Sequence, residues 1–188
     1  MKLRRWQQKV IDEFPEITKN YKKFILKAPT GAGKTVLASE IINRFYKNKK
    51  IVVLCHRLVL LEQLEKGLST DHKVKKLGLS EEGTPFENYD VLISTNLRSR
   101  DFLQNAIKHC DLLIIDEAHR VSPNGQAYKE LLDQFDKESA EQSKLLGLTA
   151  SPERRTGDQK DQLGLAFDAI IDCADIEELI KEGVLVPA

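Results

Sequence analysis

Short apolar runs recur along this sequence and alternate with longer stretches in which apolar and polar residues are mixed. The clearest runs lie at positions 24–26, 51–55, 89–94, 112–115 and 144–148, with weaker ones at 74–77 and 169–171. Runs of this length, rich in valine, isoleucine and leucine, are typical of strands that are buried on both faces of a parallel sheet. The pattern therefore predicts about five to seven such strands.

The stretches between these runs carry apolar residues at the three- and four-residue spacing of amphipathic helices. Helices are predicted at 3–14, from 34 to about 47, and at 58–68, 96–108, 127–135 and 176–181. Pro15 is expected to stop or kink the first helix, because proline lacks the amide hydrogen that a helix interior needs. Alternating strands and helices predict a single α/β domain over residues 1–188, with a doubly wound, mostly parallel sheet and helices on both faces.

Composition adds little to the fold but narrows the class of protein. The chain has 188 residues, of which 41% are hydrophobic and 31% charged, as in ordinary globular domains. No apolar run approaches the length of a membrane span, and no apolar signal core follows the N-terminal residues. The three scattered cysteines show no metal-ligand spacing, and their odd number argues against a disulfide framework. These features predict a protein of the reducing cytoplasm.

The net charge is zero, but it is unevenly distributed along the chain. Residues 1–60 carry 14 basic and 4 acidic side chains, and the rest of the chain carries the opposing acidic excess. A basic segment can mark a surface that binds an anionic partner such as nucleic acid. It can equally be solvated surface that is balanced by acidic residues elsewhere in the fold. The sequence leaves both interpretations open.

The most informative stretch is the glycine-rich segment Ala28–Thr35, which lies between the first predicted strand and the second predicted helix. Gly31 and Gly33 can adopt backbone angles that turn successive amide groups toward one anion. The following helix N-terminus adds partial positive charge. In such a loop Lys34 would reach the β- and γ-phosphates of a nucleotide, and the Thr35 hydroxyl would bind Mg²⁺. The general pattern begins with glycine, where this chain has Ala28.

Two acidic residues follow the predicted strand at 112–115, and they supply the second half of a phosphate-transfer site. Ligands of parallel sheets bind at the carboxyl ends of strands, so Asp116 and Glu117 should lie near the glycine-rich loop. Asp116 is predicted to hold Mg²⁺ through water, and Glu117 to orient or deprotonate an attacking water. His119 is predicted to link this site by hydrogen bonds to Thr149 or Ser151, with a buried structural histidine as the alternative.

These motifs, in this order, resemble the conserved motifs of superfamily 2 helicases. The loop Ala28–Thr35 looks like motif I, and Asp116-Glu117-Ala118-His119 looks like motif II, the DEAH box. Motif III is similar to Thr149-Ala150-Ser151, and the upstream Q motif is similar to Leu3-Arg4-Arg5-Trp6-Gln7. Weaker resemblances are those of Cys55-His56-Arg57 to motif Ia and of Ile93-Ser94-Thr95 to motif Ib. The DEAH-containing run is most similar to the group that holds the translocating subunits of type I and type III restriction enzymes.

The resemblance implies a RecA-like motor domain that uses ATP and Mg²⁺. It implies that Gln7 reads the adenine with help from Arg4, and that motif I binds the phosphates through Thr30, Gly31, Ala32, Gly33, Lys34 and Thr35. It implies that Lys34, Asp116 and Glu117 are catalytic and that His119, Thr149 and Ser151 couple hydrolysis to movement. Nucleic acid would be contacted by Arg57, Thr95, Asn96 and Arg98.

The resemblance also implies a second RecA-like domain in cis, because superfamily 2 helicases complete their ATP site with arginines from such a domain. These 188 residues are expected to form the first motor domain alone. The function predicted for the intact protein is an ATP-dependent helicase or translocase acting on DNA or RNA, with DNA favoured. Two alternatives stay open: a non-enzymatic RecA-like module that binds nucleic acid or protein, and a phosphate-loop ATPase that acts on no nucleic acid.

Overall fold

A computed structural model describes residues 2–55, 58–78, 81–95, 100–120, 126–150 and 166–186. Within these ranges, side chains are described for all positions except 58, 60, 61, 95, 100, 120 and 126–129. The elements follow one another as α1 (Arg5–Asn20), β1 (Lys23–Lys27), α2 (Lys34–Phe45), β2 (Ile51–Cys55), α3 (Leu58–Gly67), β3 (Val74–Lys76), β4 (Val91–Thr95), α4 (Arg100–His109), β5 (Leu112–Asp116), a 3-10 turn (Ala118–Arg120), α5 (Gln126–Glu138), β6 (Lys144–Thr149), β7 (Ala169–Asp172) and α6 (Ile176–Lys181).

The strands form one seven-stranded sheet in the order β3-β4-β2-β5-β6-β1-β7. Every pair of neighbouring strands is parallel. β1 lies beside β6, and β6 lies beside β5, so the predicted glycine-rich loop and the predicted acidic pair follow strands separated by a single strand. The predicted α/β fold with a parallel sheet is confirmed.

Alternate residues of each strand face two separate apolar layers. One layer packs α1, α2, α3 and α6 against strand residues such as Phe24, Leu26 and Ile114. The other packs α4 and α5 against residues such as Ile25 and Ile115. Since neighbouring residues of a strand point to opposite faces, a wholly apolar strand is what a sheet covered on both sides requires.

Of the two outcomes predicted for Pro15, a stop is wrong: α1 runs through the proline to Asn20. The buried face of α1 continues beyond the proline to Ile17, which packs into the core. Each large apolar side chain buried in this way contributes roughly 1.5–3 kcal/mol, which is comparable with the ~3 kcal/mol cost of an interior proline. The Thr18 hydroxyl also donates to the carbonyls of Phe14 and Pro15, at 3.0 and 3.1 Å.

Cations of the basic N-terminal third pair with acidic residues that come later in the chain. Among the described residues, six ion pairs join a cation from residues 1–60 to a carboxylate from residues 61–188. The pairs are Arg5–Glu178, Lys23–Asp136, Lys27–Asp172, Lys47–Asp71, Lys49–Asp111 and Lys50–Asp90. Of the two interpretations of the charge asymmetry, the structure therefore favours a surface balanced across the fold. In the described part of the chain, no helix is long and apolar enough to cross a membrane.

Candidate nucleotide-binding site

The glycine-rich loop joins β1 to α2 at the carboxyl edge of the sheet. Gly31 and Gly33 both have left-handed backbones, with φ of +79° and +101°. A side chain is strained at such angles, and a Cβ added to Gly33 would also lie only 2.8 Å from Gln7 Nε2. Both glycines are therefore required by the backbone, as the phosphate-loop prediction assumes.

Lys34 opens α2 and is partly buried beside the acidic pair. Its ammonium group donates to the carbonyls of Ala28 and Pro29, at 3.0 and 3.1 Å. Burial lowers the pKa of Lys34, and the negative charges of Glu117 and Asp116 oppose that shift. The structure thus places the loop lysine and both predicted acidic residues within electrostatic reach of one another, although they lie far apart in the sequence.

Gln7 and Arg4 hold the loop from its outer side. The Gln7 side chain is 2% exposed, accepts from the Arg4 amide at 2.9 Å and donates to the Gly33 carbonyl at 2.9 Å. The Arg4 guanidinium donates to the carbonyls of Gly31 and Ala32. Their role in reading adenine stays a prediction, and the structure adds a direct contact of both side chains with the phosphate loop.

Motif II lies where β5 ends. Asp116 is the last residue of this strand, and Glu117 has a left-handed backbone with φ of +53°. A residue other than glycine in this region costs roughly 1–3 kcal/mol and persists only where surrounding structure imposes it. The turn directs the chain into the short helix Ala118–Arg120, which places His119 beside β6.

His119 makes the contact that the sequence predicts. Its Nδ1 lies 3.0 Å from Thr149 Oγ1 and 3.2 Å from Glu117 Oε2. A Cβ added to Gly147 would lie 2.9 Å from that of Ala118, so glycine in β6 permits this close approach of the two motifs. The Ala28 amide also donates to the Thr149 carbonyl at 3.0 Å, which ties motif III to motif I. The coupling role of these residues stays a prediction.

The residues present fit a nucleotide with Mg²⁺. Two left-handed glycines, a lysine and a helix N-terminus are the parts that a phosphate-binding loop requires. Among the described residues, no group of three or more His, Cys, Asp or Glu side chains could hold a metal ion alone. A hydroxyl and one carboxylate, completed by phosphate oxygens and water, are the usual surroundings of Mg²⁺ in nucleotide sites. Thr35 and Asp116 are the residues that would hold it.

Comparison with known proteins identifies the family. Residues 1–154 match ResIII, described as "Type III restriction enzyme, res subunit". The chain belongs to this family.

The ResIII chain is similar to several longer proteins. "Putative ATP-dependent helicase IRC3" of Saccharomyces cerevisiae is 30% identical over 200 residues, covering 99% of this chain and 28% of the yeast protein. "Type I restriction enzyme EcoAI endonuclease subunit" of Escherichia coli is 30% identical over 198 residues, covering 98% of this chain and 23% of that subunit. The ResIII chain therefore spans less than a third of the length of these relatives.

A solved structure with the same fold is a nuclease-deletion mutant of the type ISP restriction-modification enzyme LlaGI in complex with a DNA substrate mimic. It matches with a TM-score of 0.68 at 17% identity, covering 98% of this chain and 21% of that one. With its RecA-like fold and its family, the ResIII chain is a motor domain of the superfamily 2 helicases, as its motifs indicate.

Several predicted site residues, or their side chains, lie outside the part of the chain that the structure describes. Thr95 is the last residue of β4 and lies beside Cys55, the last residue of β2, at the carboxyl edge of the sheet. The structure does not describe its side chain. Positions outside the described residues include the predicted nucleic-acid contacts Arg57, Asn96 and Arg98 and the motif III residue Ser151. Their roles stay predictions.

A cleft of about 1040 Å³ lies beside the phosphate loop, and the sequence did not predict it. Its walls include Trp6 and Lys9 of α1, Pro29 and Thr30 of the loop, and the segment 172–178, which runs from the end of β7 into α6. No motif marks that last segment, which the sequence identifies only as a weak strand followed by a short helix. Its position against α1 comes from the sheet order, which places β7 beside β1.

We expect Gln7→Glu to destabilise the ResIII chain. The substitution keeps the size of the side chain but replaces the NH₂ donor with an oxygen that faces the Gly33 carbonyl. An unsatisfied buried polar group costs about 1–3 kcal/mol, which lowers the melting temperature of a domain this size by several degrees. Calorimetry of the variant measures this.

The neighbouring Gln8→Glu is the matched control for this prediction. Gln8 is exposed, and its side chain donates to Asp12 of the same helix at 2.8 Å. Substitutions at such sites usually change stability by less than about 0.5 kcal/mol. Equal melting temperatures for the two variants would show that the Gln7 contact with the loop contributes nothing to stability.

Proposed function

We propose that the ResIII chain is the ATP-binding first motor domain of an ATP-dependent helicase or translocase, which couples ATP hydrolysis to movement on DNA. The observation that carries this proposal is the convergence of motifs I, II and III at one edge of the sheet. Lys34 lies within electrostatic reach of Asp116 and Glu117, and His119 joins motif II to Thr149. Membership of a helicase family agrees with nucleotide use.

Each residue of the site then has a chemical task. The backbone amides of Thr30–Gly33 bind phosphate oxygens, and Lys34 leaves its carbonyl contacts to neutralise phosphate charge. Bound ATP with Mg²⁺ supplies a γ-phosphoryl group and a metal ion that compensates its charge. Thr35 and Asp116 hold the metal, and Glu117 orients the attacking water and accepts its proton.

The contact of His119 with Thr149 gives motif III a means to respond to that reaction. When Glu117 gains a proton its charge is lost, which weakens its interaction with His119 Nδ1 at 3.2 Å. The hydrogen bond between His119 Nδ1 and Thr149 Oγ1, at 3.0 Å, then becomes the stronger of these two contacts. We propose that this exchange passes the state of the site to β6.

DNA is the favoured polymer. The LlaGI structure contains a DNA substrate mimic, and the EcoAI relative is a subunit of a restriction enzyme. We propose that Arg57, Thr95, Asn96 and Arg98 contact its backbone. Contacts of this kind position a strand without reading its sequence.

We also propose that the intact protein carries a second RecA-like domain that supplies arginines to the site. In their absence the γ-phosphate charge is incompletely neutralised, and loss of an arginine finger costs on the order of 10³–10⁵ in rate. The 188 residues alone should therefore bind ATP weakly and hydrolyse it slowly.

The cytoplasmic location stays a prediction, with which the free state of Cys55, Cys110 and Cys173 agrees.

Two measurements test the proposal. Binding of a fluorescent ATP analogue to the 188-residue chain should require Mg²⁺ and be lost when a chelator is added. ATP turnover by the intact protein should increase with DNA, compared across single- and double-stranded DNA and RNA. Turnover that responds to RNA alone would contradict the choice of polymer. Turnover that no nucleic acid changes would favour an ATPase of another kind.

A further inference from the structure

The chain beyond α6 turns back toward the phosphate loop. Gly183 has a left-handed backbone, with φ of +69°, which reverses the chain direction at the helix end. The amides of Val184 and Leu185 then both donate to the Leu179 carbonyl, at 2.9 and 3.2 Å. Since Leu179 is 1% exposed in the core, these bonds fix where Leu185 lies.

Leu185 lies against the loop at Gly31. A Cβ built on Gly31 would be in ordinary van der Waals contact with Leu185 Cδ2, at 3.6 Å. Leu185 is partly buried and packs against the apolar cluster that includes Ala28 and Ala32 of the same loop. A residue near the end of α6 thus lies beside a loop that begins more than 150 positions earlier in the chain.

A second contact joins α6 to α1, which is the helix that follows Arg4. Arg5 of α1 forms an ion pair with Glu178 of α6 at 3.4 Å, although both side chains are largely exposed and such pairs contribute little alone. The adjacent Arg4 donates to the Gly31 carbonyl. Gly31 therefore accepts from Arg4 through its carbonyl, and Leu185 occupies the space beside its Cα.

We propose that Leu185 is a positioning residue for the phosphate loop. A glycine-rich loop has many backbone conformations, and ordering each residue costs about 1–2 kcal/mol. A contact that limits these conformations in advance lowers the cost of binding a ligand. By this means the docking of residues 183–186 and the binding of nucleotide favour each other. The inference rests on the proposed function, because it assigns nucleotide to this loop.

Gly183→Ala tests the proposal, with Gly83→Ala as its matched control. Both glycines have positive φ, at +69° and +93°, and an added Cβ at either meets no atom within 4 Å. The two substitutions therefore impose similar backbone strain with no clash. Gly183 directs Leu185 to the loop, whereas Gly83 lies in the connection between β3 and β4.

Hydrogen exchange of the nucleotide-free chain gives the first measurement. The Ala32 amide, which donates to the Pro29 carbonyl at 3.2 Å, reports the order of the loop. We expect Gly183→Ala to speed its exchange relative to the wild type and Gly83→Ala to leave it unchanged. Equal exchange rates of the Ala32 amide in the two variants would overturn the positioning role, whether or not the chain binds nucleotide.

Nucleotide affinity gives the second measurement. We expect Gly183→Ala and Leu185→Ala to weaken binding of the fluorescent ATP analogue roughly fivefold or more, the equivalent of ordering one residue's backbone. Leu185→Met conserves volume and should restore affinity, and Val186→Ala, at a side chain 89% exposed, should not alter it. If Gly183→Ala and Leu185→Ala both bind the analogue as tightly as the wild type, the inference is overturned while the proposed function stands. A wild-type chain that binds no nucleotide would refute the proposed function, and the exchange comparison would still decide the positioning role.

Discussion

Lys34→Ala should abolish nucleotide binding without destabilising the nucleotide-free chain. The ammonium group is the principal cation of the loop, and burial lowers its pKa, which means that the surroundings disfavour its charge. Its two hydrogen bonds to loop carbonyls offset that cost only in part. The substitution therefore removes the phosphate ligand and relieves a desolvated charge at the same time.

Thermal unfolding with and without Mg²⁺ and ATP measures both halves of this prediction. A ligand that binds only the folded state adds RT ln(1 + [L]/Kd), about 2.7 kcal/mol at a hundredfold excess over Kd. The wild type should gain this increment and Lys34→Ala should not, and their melting temperatures without nucleotide should agree or favour the variant. Lys19→Ala, at an exposed position of α1, is the matched control and should behave as the wild type. A full increment in Lys34→Ala would rule out the loop as the phosphate site.

Glu117→Gln should preserve nucleotide binding and remove hydrolysis in the intact protein. Glutamine retains the size of the side chain and one oxygen within reach of His119, so the left-handed turn and the neighbouring loop should be unchanged. It cannot accept a proton from water at neutral pH. Loss of a general base costs typically 10²–10⁴ in rate.

The measurement pairs ATP turnover with binding of the fluorescent analogue by the same preparation. Glu141→Gln, at an exposed turn before β6, makes the same chemical change away from the site and should retain turnover. Asp116→Asn provides a contrast, because it should weaken binding specifically in the presence of Mg²⁺. Normal turnover by Glu117→Gln would show that another group activates the water.

The strands were predictable because their burial is a local property of composition. Ile51–Cys55 is entirely apolar in the sequence and entirely buried in the sheet, and the predicted bounds of this strand are those observed. Pro15 shows where such reasoning fails. Proline does disfavour a helix interior, as the local argument assumes. The burial of Ile17 on the continuing helix face, however, depends on distant strands that the local pattern does not reveal.

The candidate site divides in the same way. Gly31, Gly33 and Lys34 were identified because their chemistry lies in one short segment between a strand and a helix. His119 was predicted to form a hydrogen bond with Thr149 or Ser151, but local spacing could not choose between them, and the contact with Thr149 joins two residues 30 positions apart. Leu185 carries no sequence signal, because a leucine after a short helix is common in any globular chain.

By itself, the sequence determined the class of fold, the phosphate loop and the acidic pair, because periodicity, glycine placement and strand-end position are properties of consecutive residues. Only the tertiary structure decided how these parts meet. It brings cations of residues 1–60 beside later carboxylates. It also allows the Gln7 side-chain amide to donate to the Gly33 carbonyl, and it places Leu185 close to Gly31. The position of Leu185 follows from strand order, because β7 lies beside β1 and so brings the residues that follow β7 to the loop that follows β1.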